Sequence, residues 1–186
     1  PIYEHRIHAR MCELSGMVKR LGFTHFWIAI AAGSSAAGSL IAFSDHGSVQ
    51  SADWSFLWAI SACTGWVYTF QRWMKSTRKP EQMPASRLEF MQKQGGRLGA
   101  FWTLLSIWAT LHWLFEAGIP FAPQLASQWP LFLLAAVMSI GYAFNPIGSG
   151  RGWRERPHLK LPAIALSWTL ATVIFPASHL GITWWE

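Results

Sequence analysis

The chain has 186 residues; 52% are hydrophobic, only 13% carry a charge, and thirteen are tryptophan. Soluble domains carry about 25% charged residues, so this composition excludes an ordinary water-soluble domain and favours a protein that folds in lipid. The net charge is +6 and the isoelectric point about 9.8, a balance also found in nucleic-acid-binding proteins. The basic residues lie in short segments between apolar stretches, where membrane topology and anionic lipid account for them. Nucleic acid is therefore not expected as a partner.

Residues 1–21 are polar apart from one apolar stripe. Its members recur at alternating four- and three-residue steps, which is helical spacing, and basic residues are available for the opposite face. The stripe consists of Ile7, Met11, Leu14, Val18 and Leu21. The pattern predicts an amphipathic helix on the membrane surface or against a partner, although a solvated helix at the end of a bundle fits equally well.

Residues 22–186 contain five apolar stretches, which predict five membrane-spanning helices. The longest matches the roughly 20 residues that cross about 30 Å of hydrocarbon. The expected spans are residues 22–43, 54–70, 98–117, 129–144 and 161–180. The predicted fold is therefore an all-α integral membrane protein, a five-span helix bundle preceded by the amphipathic N-terminal helix.

Small residues in the first span predict close helix packing. Gly33 and Ala37 are four residues apart, and so are Ser34 and Gly38. Such pairs share a helix face and let another backbone approach closely. The alternative is that this face of small residues packs against the flat ring of a bound ligand.

Glycine and proline also predict where helices begin and end. A short surface helix is expected over Ala85–Gln94, and Gly95 and Gly96 are expected to end it before the third span. Pro162 is expected in the first turn of the fifth span, where its missing N–H leaves no hydrogen bond unmade.

The distribution of Lys and Arg predicts the orientation in the membrane. Residues 1–21 hold four of them, residues 72–97 hold seven and residues 151–160 hold four, which together are all fifteen. The positive-inside rule places these three segments on the cytoplasmic side. The sequence thus predicts a multi-pass membrane protein with its N-terminus in the cytoplasm and its C-terminus outside.

A longer pattern runs through Gly148–Pro176, which reads GSGRGWRERPHLKLPAIALSWTLATVIFP. A basic, Gly-rich loop is followed by Pro, Leu-Lys, an apolar run, Ser-Trp-Thr and a closing Pro. His25–Ala29 reads HFWIA at the first span, and Tyr142 closes the fourth. These features resemble the divergent bacterial branch of the UbiA-type membrane prenyltransferase-like superfamily, and they correspond to the first five spans of that family. The resemblance implies a location in the bacterial inner membrane, with the C-terminus on the periplasmic side.

The resemblance implies Mg²⁺-dependent prenyl transfer, for which the family uses two Asp-rich motifs to hold Mg²⁺ against a diphosphate. A hard divalent cation needs several carboxylate oxygens. The first motif belongs at the inner end of the second span, where residues 68–75 of this chain contain no carboxylate and include Arg72 and Lys75. The two Asp residues, Asp45 and Asp53, lie on the predicted outer side. We therefore expect no catalytic residue and no metal site, which argues against an enzyme.

The basic segments also offer a candidate anion site. Six cations on the predicted cytoplasmic side could converge on a lipid head group or a phosphate. They are Arg72, Lys75, Arg151, Arg154, Arg156 and Lys160. The alternative is that they only set the topology and are solvated by water and lipid.

His112 is the most specific candidate site, because ionisable groups inside a membrane are costly and usually face the bundle interior or a cavity. It lies well inside the third span, with Trp108 and Trp113 nearby and Glu116 one turn later. A neutral imidazole can ligate haem iron or the magnesium of chlorophyll or bacteriochlorophyll, and the Trp rings would border the macrocycle. A structural hydrogen bond between His112 and Glu116 is the alternative. His179, which also lies toward the outer side, extends the first hypothesis to a two-histidine haem.

These observations favour a non-catalytic accessory or scaffold subunit of a larger membrane complex, with an electron-transfer or photosynthetic complex as one setting. Membrane lipids and other membrane subunits are the expected partners, and bound lipid is the expected ligand besides any tetrapyrrole. The alternative is a UbiA-type prenyltransferase-like enzyme that lacks part of its active site, or a membrane protein that handles isoprenoids or quinones.

Overall fold

The computed structural model describes residues 25–44, 47, 49, 51–116, 123–143 and 156–182. Within these ranges the secondary structure is helical, without a strand. The amphipathic helix predicted for residues 1–21 lies outside the described residues.

The described chain forms six α-helices. They are α1 (Phe26–Phe43), α2 (Ser51–Arg78), α3 (Ala85–Glu116), α4 (Pro123–Ala143), α5 (Pro157–Thr169) and α6 (Phe175–His179). Two of the connections are themselves helical: a 3₁₀ turn at Pro80–Gln82 joins α2 to α3, and a π turn at Leu170–Ile174 joins α5 to α6.

Three helical segments are long and apolar enough to cross a membrane: Phe26–Phe43, Ala85–Glu116 and His158–His179. Helix α4 carries a shorter apolar stretch, Pro130–Gly141. Many large apolar side chains point outward, and Phe115 is 73% exposed, which suits a surface solvated by lipid. The predicted all-helical membrane fold is confirmed to this extent, with three candidate spanning helices among the described residues.

Helix α2 lies at the centre of the molecule. It packs along most of α3 and against α1, while α1 also contacts the π turn and α6. The largest buried cluster joins Leu40 of α1, Phe56 and Ile60 of α2, and Trp113 of α3. Helix α4 packs on α5 and makes fewer contacts with α2.

Two glycines set the close approach of α2 to its neighbours. A methyl group at Gly33 of α1 would overlap the hydroxyl of Ser61, and one at Gly65 of α2 would overlap the buried ring of Trp102. Of the two small-residue pairs expected in α1, Gly33 and Ala37 lie at the α2 interface, whereas Ser34 and Gly38 are exposed.

The short surface helix expected over Ala85–Gln94 is not a separate element, because it forms the beginning of α3. Gly95 and Gly96 lie within that helix, so the expectation that they end it was wrong. Gly95 is buried, and a Cβ there would come 3.1 Å from Trp73 of α2. This glycine allows the two helices to pack closely, and the packing outweighs its low helix propensity.

The expected start of the last span also needs correction. Pro157, not Pro162, occupies the first turn of α5, and Pro162 lies inside the helix. Further on, the backbone N–H of Phe175 donates to the carbonyl of Leu170 five residues earlier, which defines the π turn. Pro176 comes next and has no N–H to continue the α-helical pattern.

Replacing Gly65 with alanine should lower the stability of the bundle by about 1–3 kcal/mol, because the added methyl group overpacks the α2–α3 contact at Trp102. Gly96→Ala is the control, since it is exposed in α3 with nothing within 4 Å of its added Cβ. The control should be neutral or stabilising by up to about 1 kcal/mol. Thermal unfolding of both variants in one detergent measures the difference, and equal midpoints would contradict the predicted overlap.

Candidate functional site

A cavity of about 350 Å³ lies between α2, α3, α4 and the α5–α6 segment, and it is partly open to the surface of the bundle. It follows α2 from Phe56 to Gln71, a length of about 22 Å at the helical rise per residue. The described residues that line it are mostly apolar and include no Lys or Arg. The result is a long apolar channel inside the bundle.

The lining of the cavity follows from helical periodicity. On α2 the lining residues recur every three or four positions, so one face of the helix borders the cavity while others contact α1 and α3. Small residues leave space on three sides: Ala59 of α2, Ala135 of α4 and Ala171 of the π turn. The loose contact between α4 and α2 leaves the remaining room.

At the Phe56 end, the cavity is bordered by a buried histidine–carboxylate pair. His179 Nε2 lies 3.0 Å from Asp53 Oδ1, and the two side chains are only 11% and 9% exposed. The ring of Phe56 stacks on His179 at 4.4 Å between centroids and an interplanar angle of 1°. The carboxylate and the stacked ring together fix the orientation of the imidazole.

Trp113 forms the adjoining wall. Its ring lies 5.4 Å from that of Phe56 and 6.2 Å from that of His179, between centroids. The indole Nε1 is buried and has no hydrogen-bond partner among the described residues. An unsatisfied buried donor costs about 1–3 kcal/mol, and this nitrogen is enclosed by the surrounding side chains rather than open to the cavity.

At the other end of the cavity lie Tyr68 and Gln71 of α2. Next to Tyr68, the buried His25 precedes α1 in a left-handed backbone conformation with φ of 64°. Its Nδ1 lies 3.1 Å from Thr69 Oγ1, and its ring centroid lies 6.4 Å from that of Tyr68. The first residue of the pattern HFWIA, His25, thus links the start of α1 to α2 through its contact with Thr69.

The structure separates the residues predicted around His112. Trp108 meets His112 edge-on at 5.4 Å between centroids, but Trp113 lies with Phe56 and His179 instead. His112 is 41% exposed, and its Nδ1 is 3.7 Å from Glu116 Oε1, a distance too long for a hydrogen bond. His112 does not line the cavity. Tetrapyrrole ligation by His112 stays a prediction.

Of the six predicted anion-site residues, four lie among the described residues, and these four form two groups. Arg72 and Lys75 are half-buried on α2, whereas Arg156 and Lys160 are exposed at the start of α5. Lys75 follows Gln71 by four residues and Lys160 precedes Ile164 by four, so helical register places both lysines beyond the Gln71 end of the cavity. Arg151 and Arg154 lie outside the described residues. Convergence on one anion stays a prediction.

Sequence reasoning missed the pairing of Asp53 with His179, which are 126 positions apart. The usable signal was that both polar residues lie on the side without Lys or Arg, one at the start of a span and the other at the end. Among the described residues, no group of three His, Cys, Asp or Glu side chains could hold a metal ion.

No family model, no curated protein and no solved structure matches this chain. The resemblance to UbiA-type proteins therefore stays a prediction that rests on the quoted residues.

The buried pair should be energetically coupled. Asp53→Asn and His179→Gln should each lower stability by about 1–3 kcal/mol, and the double variant should lose less than the sum of the two. A double-mutant cycle on unfolding in detergent measures the coupling, which should exceed about 0.5 kcal/mol. The exposed ion pair Lys93–Glu89, at 2.7 Å, is the control and should show almost no coupling, because solvent screens it. Simple additivity at Asp53 and His179 would refute the coupling.

Proposed function

We propose that this chain is an integral membrane protein that binds a long apolar molecule of the isoprenoid or quinone class. The observation that carries the proposal is the cavity along α2. Its volume of about 350 Å³ lies in the range of small-molecule sites. Its length of about 22 Å suits a chain-like ligand better than a compact one.

The chemistry of the lining supports an apolar occupant. A water molecule inside a protein needs two to four polar partners, whereas the middle of this cavity is lined by residues such as Ile60, Val67 and Met138. The most polar side chains lie at the two ends, His179 at one and Gln71 at the other, while the polar groups between them are Thr and Ser hydroxyls and the Cys63 thiol. Such an arrangement fits an apolar body with a polar head group.

The proposal takes up the isoprenoid- or quinone-handling alternative derived from the sequence. It is compatible with an accessory subunit of a larger membrane complex, because a subunit can hold a lipid molecule with or without a catalytic role. Prenyl transfer would additionally require carboxylates that hold Mg²⁺ against a diphosphate, and residues 68–75 contain none.

We further propose that five segments cross the membrane: α1, α2, α3, α4 and the α5–α6 segment. Helices α2 and α3 have 28 and 32 residues, or about 42 and 48 Å, so both exceed the hydrocarbon thickness. The short turn at Pro80–Gln82 joins them as an antiparallel pair in contact along its length, so α2 crosses if α3 does. The basic ends of this pair lie on the cytoplasmic side in this proposal.

Filling the cavity should displace its ligand. Ala135→Phe places a ring among the lining residues of α4, and it should reduce the apolar molecule recovered with the purified protein by about tenfold, since space for the chain is lost. Ala136→Phe is the matched control, because its side chain is exposed and meets lipid. Mass spectrometry of organic extracts, normalised to protein, provides the measurement. The proposal fails if both variants carry the same extract as the unaltered protein, or if that protein carries none.

The five-crossing arrangement predicts the side on which each connection lies. An alkaline phosphatase reporter, which is active only outside the cytoplasm, should be active when fused after Ile182 and inactive when fused after Lys79. Both fusions must be present in the membrane at equal amounts for the comparison. Activity after Lys79, or its absence after Ile182, would rule out this topology.

A further inference from the structure

We propose that the Phe56 end of the cavity binds the hydroxyl group of a neutral, ring-shaped head group, as in the reduced, hydroquinone form of a lipid-soluble quinone. In this arrangement the hydroxyl donates a hydrogen bond to Nδ1 of His179, and the apolar tail runs along α2 toward Gln71. The inference rests on the proposed function, and it adds which end of the cavity selects the ligand and which oxidation state that end prefers.

The contact between Asp53 and His179 determines which nitrogen of the imidazole accepts a hydrogen bond. Nε2 lies 3.0 Å from Asp53 Oδ1, and an ionised carboxylate only accepts, so Nε2 carries a proton and donates. The other nitrogen of the neutral imidazole is then an acceptor. Asp53 does not line the cavity itself, and it acts as a positioning residue that sets the tautomer and the orientation of the ring.

Nδ1 of His179 is available to a ligand. His179 lines the cavity, and its Nδ1 makes no hydrogen bond to a described residue. Unlike the Trp113 nitrogen, Nδ1 is not enclosed by the surrounding side chains. Asp53 covers the Nε2 edge of the imidazole and Phe56 covers one face. The edge that carries Nδ1 therefore remains for a donor on a bound molecule.

The charges around this end indicate a neutral head group. The cavity lining includes no Lys or Arg among the described residues. The described basic residues on α2, α3 and α5 lie at positions 72–97 and 156–160, beyond the opposite end. A phosphate or diphosphate beside His179 would have the Asp53 carboxylate nearby and no Lys or Arg to compensate its charge, so the donor belongs to a neutral hydroxyl group.

The aromatic walls at this end favour a ring over a linear alcohol. Phe56 and His179 lie parallel, and the ring of Trp113 is inclined to them by 59° and 60°. Phe175, one helical turn before His179, also lines the cavity and stacks on Phe132 of α4 at 5.2 Å between centroids. A flat ring packs on such surfaces with offset or edge-to-face contacts, whereas a flexible chain gains less from them.

The test compares the two oxidation states of one probe, decyl-tailed ubiquinol and decyl-tailed ubiquinone, in lipid nanodiscs without oxygen. The hydroxyl groups of the hydroquinone donate, whereas the carbonyl oxygens of the quinone only accept. The unaltered protein should bind the hydroquinone roughly three- to tenfold more tightly, after subtraction of the probe taken up by empty nanodiscs. Equal affinities overturn the inference. Tighter binding of the quinone also overturns it, because it would mean that the imidazole donates.

Variants of the pair assign the preference to the imidazole. His179→Phe keeps an aromatic ring against Phe56 and removes both nitrogens, so the two oxidation states should bind equally. Asp53→Asn no longer fixes the tautomer and should reduce the ratio of the two dissociation constants, which a merely structural role would leave unchanged. His112→Phe is the matched control, because His112 is 41% exposed and does not line the cavity. It should keep the full preference, and the ratio in the unaltered protein is informative even if a variant does not fold.

Farnesol distinguishes the two sources of a hydroxyl group, because it carries the hydroxyl on a linear chain without a ring. It should bind less tightly than the hydroquinone, since it lacks the contacts with the aromatic walls. Tighter binding of farnesol, weakened by His179→Phe, would assign the site to a linear alcohol and overturn the ring-shaped head group.

The outcomes separate this inference from the proposed function. If both oxidation states bind equally, Ala135→Phe abolishes binding and His179→Phe changes neither affinity, the cavity binds lipid but the head-group assignment is wrong. Loss of binding in Gln71→Leu but not in His179→Phe would place the head group at the opposite end and also overturn the inference. If no probe binds and no apolar molecule is extracted, both proposals fall.

Discussion

The close contact of α2 with α1 and α3 is the constraint on which the rest of the structure depends. A helix surrounded by lipid gains little hydrophobic free energy when it moves from lipid into contact with another helix. Association therefore relies on close van der Waals packing of small residues against larger ones. Gly33 opposite Ser61, and Gly65 beneath Trp102, provide this contact on two faces of α2. Helix α2 is thereby fixed in position, and its third face borders the cavity.

The cavity is the space that remains once these contacts are made. Helix α4 packs mainly on α5, and small residues on both sides leave the gap unfilled. The π turn at Leu170–Ile174 inserts one residue into the last helical segment, which rotates the residues of α6 by about 100° about the helix axis. That rotation accompanies the placement of His179 against Asp53 and Phe56, so a local irregularity of the backbone helps to build the polar end.

The parts of the structure predictable from sequence were those set by local patterns. Continuous apolar runs identified the helical segments because each run satisfies its own backbone hydrogen bonds. Gly95 was misassigned because a glycine that ends a helix and one that admits a neighbouring ring look identical in sequence. Trp113 was assigned to His112 because they are adjacent in the chain, yet consecutive residues on a helix point about 100° apart. The contact between Asp53 and His179 required knowing which helices are neighbours, and no local pattern contains that information.

The opening of the cavity at the surface of the bundle has a consequence for selectivity. In the proposed setting a ligand enters from the bilayer, so its tail exchanges one hydrocarbon environment for another and gains almost nothing from the hydrophobic effect. Bulk lipid, present in vast excess, competes for the same space on nearly equal terms. Discrimination then falls to the few polar atoms that border the cavity, and these would decide which of many similar molecules it retains.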